Sequence, residues 1–277
     1  MSNRTRGRII KLAIQIVLVA VGLIMIFPLF WLISTSLRPA PELLESPPSL
    51  LPQTWTLDNY ANAFAAAPFG TWLINSVVFA TISTLFILLT SLIAGYILAK
   101  FKFPGNNFLF ILILATAIVP FEIYMLPVFL EVQSLSLINT TAGLILPYVI
   151  LSYGIFFMRQ NVMASVPDEL LDAARIDGLS ETGIMVRLVP RLLAPAISAL
   201  AIFAYLQSWT AFIWPLLVLN DQNLFPVQLG LAQFNSRVSV NYAVLSAGAV
   251  VAMAPTVVAF LVLRRRIIEG VTLTGFK

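Results

Sequence analysis

The segment between Pro167 and Arg191 carries a dense set of charged side chains. They are Asp168, Glu169, Asp172, Arg175, Asp177, Glu181, Arg187 and Arg191. Carboxylate and guanidinium groups at this density form ion pairs and hydrogen bonds, either with each other or with another macromolecule. Because long apolar runs flank the segment on both sides, its charge needs a physical explanation.

Local signals predict a helix–turn–helix over residues 165–190, which we call the charged hairpin. The first helix starts at Ser165 or Val166, with Pro167 in its opening turn, where a missing N–H costs nothing. Gly178 suits the left-handed position that ends a helix. The apolar side of this helix consists of Leu170, Leu171, Ala173 and Ala174.

The second helix of the charged hairpin begins with a capping residue. The hydroxyl of Ser180 can accept a hydrogen bond from the backbone of the first turn, and Pro190 is expected to stop the helix. Its apolar face consists of Ile184, Met185, Leu188 and Val189.

Three interpretations of the charged hairpin are open. A solvated loop would not need such ordered caps. A hairpin lying on lipid headgroups should have basic flanks throughout, whereas Asp168–Glu181 holds five acids and one arginine. A hairpin that docks onto another protein is therefore favoured.

The residue types restrict what catalysis the chain could perform. It has no Cys and no His, which excludes Cys/His metal sites, disulfides, a catalytic thiol and an imidazole base. An intramembrane enzyme would need a nucleophile–base pair or metal ligands, and no Lys lies in an apolar span. We therefore expect no catalytic residue, no metal site and no cofactor bound by this chain.

The composition indicates an all-α membrane protein. The chain is 60% hydrophobic and 10% charged, whereas a soluble domain carries about 25% charged residues. Six apolar runs are long enough to approach the length of a bilayer-spanning helix. They are Leu12–Ile33, Trp72–Ala99, Asn107–Leu130, Ala142–Met158, Leu192–Leu219 and Tyr242–Leu263.

Prolines interrupt several of these spans. They are Pro28, Pro120, Pro127, Pro147, Pro215 and Pro255. Each indicates a kink whose freed carbonyl must find another partner. Simple packing irregularity and a lined cavity explain such kinks equally well.

The basic residues predict the orientation in the membrane. Fourteen of the 16 Lys and Arg residues fall on one side of the six-span map, and only Arg38 and Arg237 fall on the other. Because positive residues accumulate on the cytoplasmic side, both termini and the charged hairpin are predicted to be cytoplasmic. The basic residues form no single patch, so nucleic-acid binding is not expected.

The predicted organisation is one transmembrane domain over residues 1–277. It has an N-terminal helix at 12–33, an external loop at 38–70 with a short helix near 59–66, a core of about 72–264 and a cytoplasmic tail at 264–277. A cleaved signal peptide is the competing interpretation of the N-terminus, but the 12–33 run is longer than a typical signal core, and no cleavage pattern follows it.

The stretch DAARIDGLSETGIMVRLVPRLLAP resembles the cytoplasmic loop motif of permease subunits of ATP-binding-cassette importers. That motif reads E-A-A-x-x-D-G-A and continues to an apolar-Leu-Pro ending. Asp172 stands in place of the usual Glu and Leu179 in place of the last Ala. The matching residues are Ala173, Ala174, Asp177, Gly178, Pro190 and Pro195.

The resemblance extends over nearly the whole chain, to the maltose-type carbohydrate branch of that family. Four stretches resemble characteristic segments of that branch and occur in the same order: NSVVFA, FKFPG, LINTTAGLILPY and VPDELLDAARIDG. WTAFIWPL resembles a stretch usually written with W-N-E-F, where Thr210 and Ala211 replace Asn and Glu.

The resemblance implies a prokaryotic plasma (inner) membrane protein that works in a complex. The implied partners are a second, homologous permease, two ATPase subunits that hold ATP and Mg²⁺, and an extracytoplasmic solute-binding protein. The charged hairpin would dock onto the ATPase, and its contacts would be made around Asp172, Ala173, Ala174, Arg175, Asp177, Gly178 and Leu179. No phosphate-binding loop occurs in this sequence, so the ATPase must be a separate chain.

A path for a sugar, which the resemblance implies, needs aromatic faces and neutral hydrogen-bonding groups. The candidates are Glu122, Tyr124, Tyr148, Tyr153, Gln207, Trp209, Thr210 and Trp214. Tyr and Trp near span ends also serve as interfacial anchors. An ion-coupled secondary transporter or channel is the alternative function, but such carriers need several intramembrane charges, and Glu122 is the one charged residue in the predicted spans.

Overall fold

The computed structural model describes residues 3–45, 49–237 and 241–272. Residues 46–48 of the predicted external loop and residues 273–277 of the predicted tail lie outside the described part. The chain forms two compact units. The first comprises Met1–Phe69 and Leu231–Ala254, and the second comprises Gly70–Gly230 and Pro255–Lys277.

Helices dominate the described residues, in agreement with the predicted all-α class. In chain order they are α1 (Asn3–Ser36), α2 (Asp58–Ala66), α3 (Phe69–Lys100), α4 (Asn106–Ile118), α5 (Phe121–Ser134), α6 (Thr141–Ile145, extended by a 3₁₀ turn to Tyr148), α7 (Ser152–Ser165), α8 (Asp168–Ile176), α9 (Glu181–Leu192), α10 (Ala194–Trp209), α11 (Ile213–Val218), α12 (Val227–Arg237) and α13 (Tyr242–Thr272). Two further 3₁₀ turns span Ala40–Leu44 and Gln222–Leu224.

The predicted spans differ in how continuous they are. Two unbroken segments are long and apolar enough to cross a membrane, Lys11–Ser36 within α1 and Phe69–Lys100. Three bent pairs satisfy the same test only when each pair is taken together: α4 with α5 at 101°, α6 with α7 at 44°, and α9 with α10 at 83°. A further apolar helix covers Tyr242–Val258.

The third and fifth predicted spans are each divided into two helices, and the break in the third lies at the kink that Pro120 predicts. Helix α4 ends at Ile118, and Val119 precedes Pro120. Because proline disfavours a helical conformation in the residue before it, Val119 is extended at φ −76° and ψ 119°. The predicted fifth span, Leu192–Leu219, is divided between α10 and α11 by residues 210–212.

Hydrogen bonds hold the described part of the predicted external loop within the first unit. The Glu42 carboxylate accepts hydrogen bonds from the backbone N–H groups of Gln53 and Thr54, at 3.1 and 2.7 Å. Asn59 on α2 donates to the carbonyls of Ser36 and Arg38, at 2.9 and 2.6 Å. The short helix predicted near 59–66 is confirmed as α2.

In the second unit, α3 packs closely against α7 because small residues line their contact. A Cβ atom on Gly95 would lie 2.8 Å from the backbone nitrogen of Arg159 and 2.8 Å from Cβ of Met158. Gly154 lies similarly close to the Ser91 side chain. Neither glycine can carry a side chain without moving a neighbour.

A buried hydrophobic cluster connects the charged hairpin to these helices. Its buried members are Tyr96, Met158, Val162, Val166, Leu171, Ile184, Val189, Leu193, Ala196 and Leu200. They come from α3, α7, α8, α9 and α10, together with the residues that join them. Burial of this apolar surface fixes the hairpin against the base of the longer helices.

The charged hairpin has the predicted two helices, with two corrections to their boundaries. The first helix starts at Asp168, and Pro167 is its N-cap residue, while Ser165 still belongs to α7. Pro190 does not stop the second helix, which continues to Leu192. A π-helical turn over Ile184–Leu188 changes the hydrogen-bond register, so that Pro190, which has no N–H, stays within the helical run.

Candidate functional site

The turn of the charged hairpin has the geometry that its sequence predicts. Gly178 has φ +85°, in the left-handed region. Its N–H donates to the carbonyl of Arg175, and the N–H of Leu179 donates to the carbonyl of Ala174, both at 3.0 Å. This pair of bonds defines a Schellman motif, which satisfies the carbonyls at the end of α8.

The start of α9 is capped as predicted. The Ser180 hydroxyl accepts a hydrogen bond from the backbone N–H of Gly183 at 3.2 Å. Only Leu179 separates this cap from Gly178. The chain therefore reverses direction in very few residues, with both helix ends satisfied by local bonds.

Arg175 joins the two helices of the charged hairpin. Its guanidinium donates to Glu181 on α9 and to Asp172 on its own helix, each at 2.6 Å. The hydrogen bonds that Arg175 donates to Glu181 and, second, to Asp172 raise the pKa of its side chain above the ordinary value. Arg175 therefore forms two ion pairs, of which the one with Glu181 links the two helices. Because the side chains are exposed to solvent, these ion pairs contribute little to folding stability.

The two faces of the charged hairpin differ in burial. Leu171, Ile184 and Val189 are buried in the cluster, and Met185 and Leu188 are packed against it, as predicted. Three apolar side chains of the hairpin are exposed, Leu170 at 37%, Ile176 at 86% and Val186 at 63%. The predicted apolar side of the first helix is therefore only partly buried, because Leu170 and Ala173 face outward.

A depression of about 500 Å³ lies on the hairpin. It is lined by Gly178, Leu179, Ser180, Thr182, Gly183, Val186 and Arg187. Of the predicted docking residues, Asp172, Ala173, Arg175, Asp177 and Gly178 are exposed, and Ala174 and Leu179 are half-buried. The depression combines two apolar side chains, Leu179 and Val186, with small and polar residues and Arg187, a mixture that also occurs at protein–protein contacts.

The second candidate site is a cavity of about 470 Å³ in the same unit. Six of the eight side chains predicted for a solute path line it: Glu122, Tyr124, Tyr148, Gln207, Thr210 and Trp214. The other lining residues are Ile87, Phe121, Pro147, Ile150, Leu151, Ala211, Phe212 and Ile213.

Helix interruptions build this cavity. Its wall contains residues beside the break between α4 and α5, beside the break between α6 and α7, and in the 210–212 segment between α10 and α11. The kinks predicted from Pro120 and Pro147 therefore belong to a lined cavity, which was one of the two interpretations left open by the sequence.

Phe121 organises the aromatic part of the wall. Its ring meets Tyr124 edge to face at 5.2 Å, Trp214 edge to face at 5.9 Å and Tyr148 at 6.5 Å. The Trp214 indole donates to the carbonyls of Gly143 and Leu144, at 3.3 and 3.2 Å. These contacts hold flat apolar faces beside the cavity in fixed positions.

Two predicted path residues do not line the cavity. Trp209 is 1% exposed and stacks on Tyr205 at 5.8 Å. Tyr153 packs with Phe203 at 5.3 Å and with Phe157 at 6.1 Å. The helical period separates Trp209 from Gln207, because residues two apart on a helix face different directions.

Three side chains of the two candidate sites, Phe121, Ile176 and Val186, were not predicted from the sequence. Phe121 lies between Pro120, a predicted kink, and Glu122, a predicted path residue. Its place beside both could have identified it as part of the same site. Ile176 and Val186 are apolar residues that do not belong to the predicted apolar faces of the two hairpin helices. An apolar residue on the opposite side of such a helix indicates an exposed contact surface, and this signal was available in the sequence. Among the described residues no group of three or more His, Cys, Asp or Glu side chains could hold a metal ion.

Comparison with known proteins gives concordant results. Residues 91–270 match the family described as "Binding-protein-dependent transport system inner membrane component". The arabinooligosaccharides transport system permease protein AraQ of Halalkalibacterium halodurans is 40% identical over 93% of both chains. The protein of that name in Bacillus subtilis is 36% identical over 96% of both chains. The diacetylchitobiose uptake system permease protein NgcG of Streptomyces coelicolor is 32% identical, covering 92% of this chain and 85% of the relative.

A solved structure shares the fold. The chain superimposes with a TM-score of 0.84 on a bacterial ABC transporter involved in the import of the acidic polysaccharide alginate, over 96% of this chain and 98% of the other, with 19% identity. The family match and the sequence relatives confirm the resemblance to ABC importer permeases drawn from the hairpin motif. The chain belongs to the family of binding-protein-dependent transport system inner membrane components.

Proposed function

We propose that the chain is a transmembrane permease subunit of an ATP-binding-cassette importer and moves a sugar or sugar-like solute, uncharged or weakly charged, into the cytoplasm. ATP and Mg²⁺ are bound by a separate ATPase, of which the complex contains two copies. A second, homologous permease and an extracytoplasmic solute-binding protein complete the assembly, and the chain itself binds no cofactor and catalyses no reaction.

The observation that carries this proposal is the construction of the charged hairpin. Its inner face is buried in the cluster shared with α3, α7 and α10, while its outer face exposes Ile176 and Val186 beside charged groups. An element held this firmly on one side and open on the other can transmit a displacement from a docked ATPase to the membrane helices as a rigid body.

The chemistry of the cavity supports an uncharged, hydroxyl-rich solute. Aromatic rings offer flat apolar surfaces, and Gln207 offers both a donor and an acceptor. Of the described residues that line the cavity, Glu122 is the only charged one. This wall therefore has no Lys or Arg side chain that could neutralise an anionic solute. A single carboxylate also falls short of the several ionisable groups that an ion-coupled carrier needs.

The proposed arrangement in the plasma membrane has six spans and two cytoplasmic termini. The charged hairpin at 165–190 lies in the cytoplasm between the fourth and fifth spans, and the loop at 38–70 lies outside. The distribution of basic residues supports this orientation. A single transmembrane domain, with its core at about 72–264, is the corresponding organisation.

The cavity is tested by uptake of labelled arabinotriose, a probe chosen because two relatives are named for arabinooligosaccharide transport. In the assembled transporter, replacing Gln207 by Ala is expected to lower uptake about ten-fold, since a lost hydrogen bond in a dry site costs about 1–2 kcal/mol. Gln160→Ala, which removes an exposed glutamine of α7 outside the cavity, is the matched control. Unchanged uptake in both Gln207→Ala and Glu122→Ala would place the solute path elsewhere.

The orientation is tested by thiol labelling, because the natural chain has no cysteine to interfere. A cysteine at Ser49 is expected to react with a membrane-impermeant maleimide in intact cells. A cysteine at Thr182, exposed on the hairpin, is expected to react only after the membrane is opened. Labelling of position 182 in intact cells would contradict the proposed orientation of the chain in the membrane.

A further inference from the structure

The end of α3 contacts the charged hairpin at two separate points. The Lys100 ammonium donates to the carbonyl of Val166 and to the carboxylate of Asp168, both at 2.6 Å. One turn earlier on α3, the Tyr96 hydroxyl donates to the carboxylate of Glu181 at 3.4 Å. The first contact holds the start of α8, and the second holds the start of α9.

The two bonds made by Lys100 are unequal. The Lys100 side chain is 10% exposed and that of Asp168 is 79% exposed. Solvent screens the ion pair with Asp168, whereas the charge-assisted bond to the Val166 carbonyl lies beside a buried residue, where it is stronger. The bond to Val166 is therefore the main mechanical connection.

The ion pair is intact at neutral pH. The hydrogen bond from Lys100 lowers the pKa of Asp168 below its ordinary value. A carboxylate with a lowered folded-state pKa keeps its contribution above the unfolded-state pKa and loses it as the pH falls through the folded value. The ion pair is thus lost only in acid, and assays near neutral pH measure it fully formed.

Tyr96 is the better buried of the two α3 residues. It is 1% exposed and belongs to the hydrophobic cluster. Its partner Glu181 also accepts a hydrogen bond from Arg175, at 2.6 Å. A continuous series of contacts therefore runs from Tyr96 on α3 through Glu181 to Arg175 on α8.

The same α3 helix forms part of the cavity wall. Ile87 lines the cavity, and the Thr90 hydroxyl donates to the carbonyl of Val149 at 3.0 Å, in the break between α6 and α7. Nine residues separate Ile87 from Tyr96, about 14 Å along a helix. A single unbroken helix thus contacts the hairpin at one end and the cavity nearer its middle.

We propose that Lys100 and Tyr96 are positioning residues that fasten the charged hairpin to α3, so that a movement of the hairpin displaces the cavity wall through this helix. The inference rests on the proposed function of the hairpin. It assigns a role to two residues that lie outside the hairpin motif and outside the cavity.

The experiment uses the assembled transporter in liposomes, with a cysteine placed at Gln207 as a reporter of cavity access. The rate of maleimide labelling is measured with and without ATP. Lys100→Met is expected to reduce the ATP-driven change in that rate about ten-fold, equivalent to about 1.4 kcal/mol, while the ATPase stays bound and continues to hydrolyse ATP. Lys100→Arg keeps a donor and should restore most of the change.

Lys102→Met is the matched control. Lys102 is exposed, so this variant removes the same charge two residues away and should behave as the parent. Tyr96→Phe deletes one oxygen atom from the buried contact, and we expect an about three-fold reduction because the hydrogen bond it removes is long. It remains informative even if Lys100→Met lowers abundance.

The outcomes separate this inference from the proposed function. Loss of the ATP-driven change in hairpin variants such as Gly178→Val, with a full change in both Lys100→Met and Tyr96→Phe, would overturn the α3 connection alone. A full change in the Gly178 variant as well would overturn the hairpin's coupling role. Equal losses in Lys100→Met and Lys102→Met would assign the effect to net charge and also refute the inference.

Discussion

Gly178→Val is expected to leave the permease in the membrane at normal abundance but to abolish transport. A Cβ atom at this position meets no other atom within 4 Å, so the cost comes from the backbone, held at φ +85°. A β-branched residue in that conformation costs about 1–2 kcal/mol. This is small for a membrane bundle, but large for a coupling step, since moving an equilibrium from 1:99 to 99:1 takes about 5.5 kcal/mol.

The measurements are ATPase retained on the purified complex, solute-stimulated ATP hydrolysis and uptake. Gly70→Val is the matched control, because an added Cβ there also meets nothing within 4 Å while the backbone φ is an ordinary one. Gly178→Asn should be tolerated, since Asn adopts the left-handed conformation more readily than other residues with side chains. Normal retention and stimulation in Gly178→Val would show that the hairpin is not the coupling element.

Gly95→Leu is expected to impair folding more than Gly178→Val does. The added side chain would start 2.8 Å from the backbone nitrogen of Arg159, and a backbone atom of α7 cannot rotate away. Overpacking costs typically 1–3 kcal/mol and occasionally more, and here α3 and α7 would have to separate. We expect less than about one tenth of the parent's abundance in detergent extracts, with a lower unfolding temperature for what remains.

Gly70→Leu provides the comparison within the same helix. A Cβ atom on Gly70 meets nothing within 4 Å, so the same change of residue type adds no clash. Abundance and unfolding temperature measured by fluorescence-detected gel filtration should stay near those of the parent. Equal behaviour of the two variants would mean that close packing at Gly95 does not limit folding.

Local signals in the sequence predicted the turn of the hairpin because its chemistry is local. Gly178 and Ser180 satisfy backbone groups within a few residues of themselves, so their roles depend little on the rest of the fold. Pro190 was misinterpreted because a π-helical turn can retain a proline that an ordinary α-helix would exclude. No residue type between Ile184 and Leu188 indicates a π-helical turn from the sequence alone.

The cavity was harder to predict because it depends on how separate helices approach each other. Gln207 and Trp209 are neighbours in sequence, yet one lines the cavity and the other is buried behind it. Lys100 appeared only as a positive charge at the end of a span. Its bond to the Val166 carbonyl joins residues 66 positions apart, a contact that depends on the packing of α3 against α7.

The helix breaks in the cavity wall have a consequence for how such permeases diversify. At each break the main chain leaves amide and carbonyl groups without partners in the helix, and every residue type except proline supplies both. A polar lining built partly from the main chain survives substitution of the side chains around it. In the proposed solute path, new solute preferences would then arise by exchanging a few side chains such as Gln207 or Tyr124, while the helices proposed to transmit the movement stay unchanged.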